Sequence, residues 1–316
     1  MTRTLFIAIV MIVLLTAGCS DSFDPNGTYQ QRLVVYGIID GNSSTQYIRV
    51  RSTFAPDLYD PLKASPNTEV TNAVVTVKEG TKTYLFRDTV IMVTSSGTTS
   101  PKHVYVATNF LPVGEKTYTL TVSAPGFDTV RSSLQSIAQA YVQSDGTILS
   151  KPSLDKKTIP ISFQLGKNAI AYMPMILFEY RLDMDTTLRY KEVPLSVMRD
   201  AGGNITKKFF PVPTFQENAA YYTNVYQTMT FSIEAYLATI DELKTENVSH
   251  LLTVTRVIVR FVQFDDNLYT YYSIANVYGG GSTIRLDEPD YSAITNGFGT
   301  FGMMMKVDRT YIPPQF

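Results

Sequence analysis

Hydrophobic and polar residues alternate along most of this chain, and a period of two predicts β-strands rather than helices. The first clear example is a hairpin, with strand-like runs at 32–39 and 46–51 on either side of the turn residues Asp40-Gly41-Asn42. Further strands are predicted at 73–78, 83–87, 103–108 and 117–123. About seven short strands within roughly 105 residues are typical of a small immunoglobulin-like β-sandwich.

The second half of the chain shows the same alternation in longer segments. Strands are predicted at 159–165, 172–183, 229–237, 251–264 and 301–309, with a hairpin turn at Gly202-Gly203-Asn204. Within 251–264 the apolar residues change parity near Arg256. A change of parity inside one strand predicts a β-bulge at that point.

Helical signals are few and lie in the second half. Leu268, Tyr271, Tyr272 and Ala275 recur at helical spacing after the capping residues Asp265-Asp266-Asn267. The segment 239–242 has the spacing of a capping box. The predicted fold is therefore all-β with minor α. We expect two tandem β-sandwich domains, an immunoglobulin-like one at 31–137 and a β-rich one at 138–316 that carries one or two short helices.

The first residues predict the cellular compartment. Residues 1–18 resemble a bacterial lipoprotein signal peptide, since Arg3 precedes an apolar run at 5–15 that is shorter than the roughly 20 residues needed to span a bilayer. Small residues then lead to Cys19, although Thr16 stands where such signals usually have an aliphatic residue. We expect Cys19 to be lipidated and residues 19–30 to form a tether to the membrane. The alternative is an ordinary signal peptide in which Cys19 is incidental.

Composition and charge argue against several classes of function. The chain has 316 residues, of which 44% are hydrophobic and 17% charged, so most of it is expected to fold. Lys and Arg number 27 against 28 Asp and Glu, which argues against nucleic acid as a partner. With only 2 His and 1 Cys, a His/Cys metal site is nearly excluded and no disulfide is expected.

Motifs that would indicate catalysis or cofactor binding are nearly absent. Gly297 to Gly302 has GxGxxG spacing, but a dinucleotide site needs a following helix, and a strand is predicted there. We therefore interpret this run as a glycine-rich turn packed against a sheet. His103 and His250 belong to different predicted domains and are interpreted as structural. The sequence predicts no cofactor other than the lipid on Cys19, no catalytic residue and no enzymatic activity.

Two groups of residues are candidates for ligand binding. Asp287, Glu288 and Asp290 lie in a Pro-containing loop and are candidates for calcium, without the spacing of an EF-hand. Tyr221, Tyr222 and Tyr269 are candidates for stacking on a sugar or a peptide, with a role in the core as the alternative.

Segments at both ends of the predicted mature chain resemble one family. The likeness is carried by the opening segments at 33–40 and 47–52, the strand at 72–77, the segment at 114–122, the aromatic helix at 268–273 and the glycine-rich run at 294–302. They resemble a Bacteroidota lipoprotein family known as domain of unknown function 4249 (DUF4249). Tyr36 replaces an acidic residue that is usual in the family, and residues from about 140 to 245 have no recognisable counterpart.

This resemblance implies a lipoprotein of the cell envelope at the outer membrane, facing either the periplasm or the cell surface. It also implies an accessory, non-enzymatic role beside a TonB-dependent outer-membrane transporter. The alternative is a glycan-binding surface lipoprotein of a polysaccharide import system. The family supplies no catalytic residues to carry over.

Overall fold

The computed structural model describes residues 30–54, 68–95, 98–278 and 292–315. These residues contain seventeen strands and four α-helices. The strands are β1 (Leu33–Asp40), β2 (Gln46–Ser52), β3 (Val74–Glu79), β4 (Lys82–Ser95), β5 (Thr98–Ala107), β6 (Thr117–Ser123), β7 (Val130–Gln135), β8 (Tyr141–Ser144), β9 (Thr158–Gln164), β10 (Ala171–Leu182), β11 (Arg189–Val193), β12 (Ser196–Arg199), β13 (Ile205–Phe209), β14 (Thr214–Phe215), β15 (Gln227–Ser232), β16 (Leu252–Phe264) and β17 (Phe298–Tyr311). The helices are α1 (Gly146–Ser150), α2 (Ala219–Tyr222), α3 (Ile233–Glu246) and α4 (Asp266–Tyr278).

Most strands belong to one sheet, so the predicted all-β fold with minor α is confirmed. Its order is β11-β10-β16-β17-β1-β2-β5-β4-β3-β6-β7, and β14 pairs with β10 at one side. The strand β17 joins the two halves of the chain, because it pairs antiparallel with β16 and parallel with β1. None of the helices among the described residues has both the length and the apolar character needed to cross a bilayer.

The N-terminal half folds over a first core because β4 changes partners along its length. Residues 82–86 pair with β3, whereas residues 87–95 pair with β5. Val35, Ile48, Val75 and Leu120 from the two parts of the sheet are fully buried in this core. Residues from the C-terminal half also contribute to it, including Phe301.

A second core lies under the C-terminal half. The three-stranded sheet β15-β9-β8 contributes Phe163 and Phe231, the long strands β10 and β16 contribute Phe178 and Phe261, and α3 contributes Tyr236. The Tyr236 hydroxyl donates to the carbonyl of Leu149 at 2.7 Å, so its polar atom is satisfied inside the core.

The predicted long strands and the bulge are confirmed. The pairing of β10 with β16 runs from Ala171↔Phe264 to Leu182↔Leu252, and its register changes between Glu179↔Arg256 and Tyr180↔Val254. Thr255 is therefore the extra residue of the bulge. The hairpin around Gly202 and Gly203 is confirmed too, since β12 pairs with β13.

One predicted strand is wrong over half of its length. The alternation at 229–237 belongs to a strand only as far as Ser232, whose hydroxyl caps α3 by accepting from the backbone N–H of Ala235 at 3.3 Å. The helix then buries Ile233, Tyr236, Ile240 and Leu243. These four buried residues have helical spacing, and a period of two matches that spacing over the first few positions only.

The glycines of the GxGxxG run allow close packing of β17, as the sequence predicts. A Cβ at Gly299, whose φ is +112°, would lie 2.0 Å from the carbonyl oxygen of Val35 on β1. A Cβ at Gly302 would lie 2.7 Å from Cβ of Leu268 and 2.8 Å from Oδ1 of Asp265, at the start of α4. The run is thus the beginning of a strand against which β1 and α4 pack.

Candidate functional site

A groove of about 680 Å³ opens beside the segments that connect the two cores. Residues 164–170, which lead from β9 to β10, form one side of it, and residues 219, 220, 223 and 224 form another. The complete lining is Glu115, Ala138, Gln139, Tyr141, Gln164, Leu165, Gly166, Lys167, Asn168, Ala169, Ile170, Ala219, Ala220, Thr223 and Asn224. Among the described regions we take this groove as the candidate site, because it combines concavity with exposed polar and aromatic side chains.

The floor of the groove is held by one buried amide. Gln263, which has no exposed surface, accepts from the backbone N–H of Gly166 at 2.6 Å through Oε1 and donates to the carbonyl of Ala138 at 3.2 Å through Nε2. The two segments are in direct contact, since a Cβ at Gly166 would lie 1.8 Å from the Ala138 oxygen. A second link is the Ala138 N–H bond to the Lys167 carbonyl, 3.0 Å long.

The walls carry polar groups with little net charge. Lys167 Nζ lies 2.8 Å from Glu115 Oε2, so the ammonium and carboxylate of the lining neutralise each other. Gln164 Nε2 donates to the carbonyl of Thr223 at 2.6 Å, and Asn168 Nδ2 donates to that of Ser136 at 3.0 Å. Both bonds use the amide nitrogen, and within the described residues neither amide oxygen accepts a hydrogen bond.

One exposed tyrosine, Tyr141, lines the groove, and it contacts a second, Tyr226. The rings of Tyr141 and Tyr226 meet edge to face with centroids 5.6 Å apart, and these side chains are 42% and 61% exposed. Tyr221 is 64% exposed and contacts Tyr222 in the same manner, with centroids 5.1 Å apart. Tyr221 and Tyr222 stand between the lining residues Ala220 and Thr223 in the sequence but are not part of the lining, and Tyr222 packs against the second core.

The third predicted tyrosine lies elsewhere. Tyr269 is on α4, where its ring stacks on Phe215 with centroids 5.4 Å apart and an interplanar angle of 25°. It packs against a small cluster around Leu268 and Phe264. The structure therefore does not bring Tyr269 together with Tyr221 and Tyr222.

Of the other predicted residues, the structure describes only the two histidines, and neither lines the groove. Cys19 and the calcium candidates Asp287, Glu288 and Asp290 lie outside the described residues. The two histidines lie in separate surface pairs, with Nδ1 of His103 3.1 Å from Asp88 and Nδ1 of His250 2.7 Å from Asp183. In the described part of the chain, His, Cys, Asp and Glu side chains form no group of three that could hold a metal ion.

One strongly perturbed carboxyl group is structural. Burial raises the pKa of Asp265 to about 7, although its Oδ1 accepts from the backbone N–H groups of Met303 at 2.9 Å and Leu268 at 3.0 Å. These bonds cap α4 and tie it to β17. The predicted capping role of this aspartate is therefore confirmed, and its burial outweighs the capping bonds, which by themselves lower its pKa.

Sequence reasoning missed Tyr141, Tyr226 and Gln263. The sequence signal for Tyr141 is its position between the apolar residues Ala140 and Val142, both of which are buried in the structure. Nothing in the sequence marks Gln263 as a groove residue, because its two partners lie 97 and 125 positions away.

Comparison with known proteins assigns the family. The family described as Domain of unknown function (DUF4249) matches residues 20–310. A search of curated proteins finds no match. Since the matched residues make up nearly the whole chain, this protein belongs to the DUF4249 family.

Proposed function

We propose that this protein is a lipid-anchored, non-enzymatic binding protein of the bacterial cell envelope, with the groove as its ligand site. Cys19 carries the lipid and residues 19–30 tether the folded body to the outer membrane. The protein acts as an accessory to a TonB-dependent transporter, to which it presents a ligand. The resemblance of its first residues to a lipoprotein signal supports the anchor, and the groove supports binding.

The chemistry of the groove is the observation that carries this proposal. Its two charged side chains, Glu115 and Lys167, are bound to each other, which leaves amides, a hydroxyl group and a tyrosine as the polar groups of the lining. Such groups orient a neutral polar ligand by hydrogen bonds. A hydrolytic site would instead need a nucleophile or a pair of carboxylates near a general base.

The tyrosines favour a glycan as the ligand, and this is the second candidate function. The exposed ring of Tyr141 lines the groove together with the amides of Gln164 and Asn168, and it contacts the exposed ring of Tyr226. Tyrosine presents an apolar ring face together with a polar hydroxyl, a combination that suits a sugar ring bearing hydroxyl groups. In this version the protein is a glycan-binding surface lipoprotein of a polysaccharide import system.

Attachment is tested by comparing the native protein with Cys19→Ser. We expect the intact mass of the native protein to include a lipid on Cys19, and high-salt and carbonate washes to leave it in the membrane fraction. The Cys19→Ser protein is expected in the soluble fraction. Retention of Cys19→Ser in washed membranes would contradict the proposal.

The accessory role and the ligand need separate experiments. Affinity purification from detergent-solubilised native membranes should recover an outer-membrane barrel protein in stoichiometric amount. Repeated recovery of the lipoprotein without such a partner contradicts the accessory role.

Calorimetry against a panel of neutral oligosaccharides tests the glycan version. Tyr141→Ala should weaken binding at least tenfold, whereas Tyr47→Ala, at a 50% exposed tyrosine of β2, should leave it unchanged.

A further inference from the structure

A basic and aromatic surface lies where the chain enters the folded body. We call it the tether patch and define it by Arg32, Tyr36, Arg51, Phe54 and Phe298. Phe54, just after β2, and Phe298, the first residue of β17, are 40% and 39% exposed. A cavity of about 330 Å³ beside them is lined by Val34, Tyr36, Arg51 and Phe54, among others.

The register of three strands places these side chains together. Val34 of β1 is opposite Phe298 of β17 on one side and Arg51 of β2 on the other, and residues opposite each other share a face of the sheet. Arg32, two positions earlier, places its guanidinium 5.8 Å from the centroid of Phe298. Phe54 follows Thr53, whose N–H donates to the carbonyl of Arg32 at 2.8 Å.

The arginines of the patch carry positive charge that the described residues do not neutralise. Neither Arg32 nor Arg51 has a carboxylate partner there, and Arg51 Nε donates instead to the Thr68 hydroxyl at 2.9 Å. Their neighbour Arg49 differs, because it pairs with Glu69 at 3.1 Å. The patch thus combines cationic groups and apolar rings, the two kinds of side chain found at membrane surfaces.

The short tether places the tether patch near the membrane. The described chain begins at Gln30, eleven positions after Cys19, and a fully extended segment of this length reaches no more than about 40 Å. Lipidation of Cys19 therefore keeps the patch close to a phospholipid surface. A single weak surface contact becomes effective when an anchor holds it at high local concentration.

We propose that the tether patch rests on the membrane, with Phe54 and Phe298 among the lipid headgroups and Arg32 and Arg51 on phosphate oxygens. This inference depends on the lipid anchor of the proposed function. It goes beyond that function, because it fixes which side of the folded body faces the bilayer.

The absence of Trp from this chain makes the contact measurable. Phe298→Trp and Phe54→Trp each introduce a single fluorophore into the lipidated full-length mature protein. The proteins are reconstituted into vesicles of phosphatidylethanolamine and phosphatidylglycerol with brominated acyl chains, which quench tryptophan at short range. We expect a blue-shifted emission and at least twofold quenching relative to vesicles without bromine.

The hairpin of β12 and β13 offers a matched control. Phe209 is 36% exposed, and Lys207 lies over its ring at 4.9 Å, so its surroundings imitate those of Phe298 and Arg32. Phe209→Trp should show neither the shift nor the quenching. Adding Arg32→Glu to Phe298→Trp should reduce quenching at least by half, since the glutamate repels phosphate.

The outcomes separate the two proposals. If the protein lacks a lipid and fails to bind vesicles at all, the proposed anchor is wrong. If the protein is vesicle-bound but Phe54→Trp and Phe298→Trp are quenched no more than Phe209→Trp, the anchor stands and the membrane-facing patch is wrong. A blue shift that occurs only in native membranes, and not in pure lipid, would indicate a protein partner and would equally overturn the inference.

Discussion

Arg256 binds the carboxylate of Glu179 with two hydrogen bonds, from Nε at 2.8 Å and from a terminal nitrogen at 2.7 Å. The pair lies at the bulge between β10 and β16, where the extra residue Thr255 also donates its hydroxyl to Glu179 at 2.7 Å. Glu179 is buried, and the hydrogen bond from Arg256 holds its pKa below the ordinary value. Thr255 and Arg256 at the bulge, together with Tyr190 of β11 opposite Glu179, thus all donate to one buried carboxylate.

We predict that two similar ion pairs formed by arginines of β16 contribute very differently to the free energy of unfolding. Arg256→Gln should destabilise the protein because it leaves the Glu179 charge buried without its cation. Arg260 binds Asp308 in the same two-pronged way, at 2.9 and 2.8 Å, but both of those side chains are partly exposed. Arg260→Gln should therefore cost only about 0.2–1 kcal/mol, and the loss at Arg256 should be several times larger. Urea denaturation at pH 7 measures both, and equal losses would contradict the argument.

Asp265 predicts a pH dependence of stability. Burial raises its pKa from 3.8 to about 7 in the folded protein, so below about pH 4 the carboxyl is protonated in both the folded and the unfolded chain. Between about pH 4 and 7 the unfolded chain loses the proton first, and the stability contributed by this group falls as pH rises. The slope approaches about 1.4 kcal/mol per pH unit.

Asp265→Asn tests this dependence, since asparagine retains an oxygen that can accept from Met303 and Leu268. Free energies of unfolding measured from pH 4.5 to 7.5 should fall more steeply in the native protein than in this variant. The matched control is Asp241→Asn, at an exposed residue of α3 away from this carboxyl, which should retain the native slope. A native slope in Asp265→Asn would show that the carboxyl does not titrate in this range.

We expect a side chain at Gly299 to clash at the junction of β17 and β1 and to destabilise the protein. Its alanine variant would need a left-handed φ of +112° and would bring Cβ to 2.0 Å from the Val35 carbonyl oxygen. Gly126→Ala is the control, because Gly126 has a φ of +81° with no atom within 4 Å of the added carbon. We expect a loss of about 1 kcal/mol at Gly126 from backbone strain alone, and a loss several times larger at Gly299. Thermal denaturation compares them, and similar melting temperatures would contradict the packing role.

The sequence indicated the long strands well because each has one face that must be buried. In β10 and β16 this requirement repeats over many residues, and even the parity change near Arg256 was visible. The start of α3 was predicted at 239 rather than at Ile233 because its first apolar residues fit both periods, and the Ser232 cap becomes decisive only once Ile240 and Leu243 are seen to be buried. The sheet order was out of reach, since the parallel pairing of β1 with β17 joins segments from opposite ends of the chain.

The candidate site was predictable only in part, for the same reason. Tyr221 and Tyr222 attract attention as adjacent aromatics, but the groove is lined by Tyr141 and Lys167, whose meeting depends on how loops of the two halves pack. Local pattern contains no information about such contacts. The groove can be located only when the two segments that Gln263 joins, at Gly166 and Ala138, are known.

Gln263 therefore supports a last prediction about the groove itself. Gln263→Leu preserves the approximate volume but removes both hydrogen bonds, leaving the Gly166 N–H and the Ala138 carbonyl without this partner. Each buried group that loses its partner costs about 1–3 kcal/mol, so we expect destabilisation of that order and a local loosening of the groove floor. Hydrogen exchange should report this loosening as an exchange rate at the Gly166 amide at least tenfold faster than in the native protein.

The control for this experiment is Gln135→Leu, which removes an exposed hydrogen bond from Nε2 to the Thr117 hydroxyl, 2.8 Å long. Because water replaces the lost partner there, its stability should change by less than about 0.5 kcal/mol, and exchange at Gly166 should remain native. If Gln263→Leu leaves exchange at Gly166 unchanged, another contact holds the floor. The link from Ala138 N–H to Lys167 would then be the contact that shapes the groove, and ligand binding should be insensitive to Gln263.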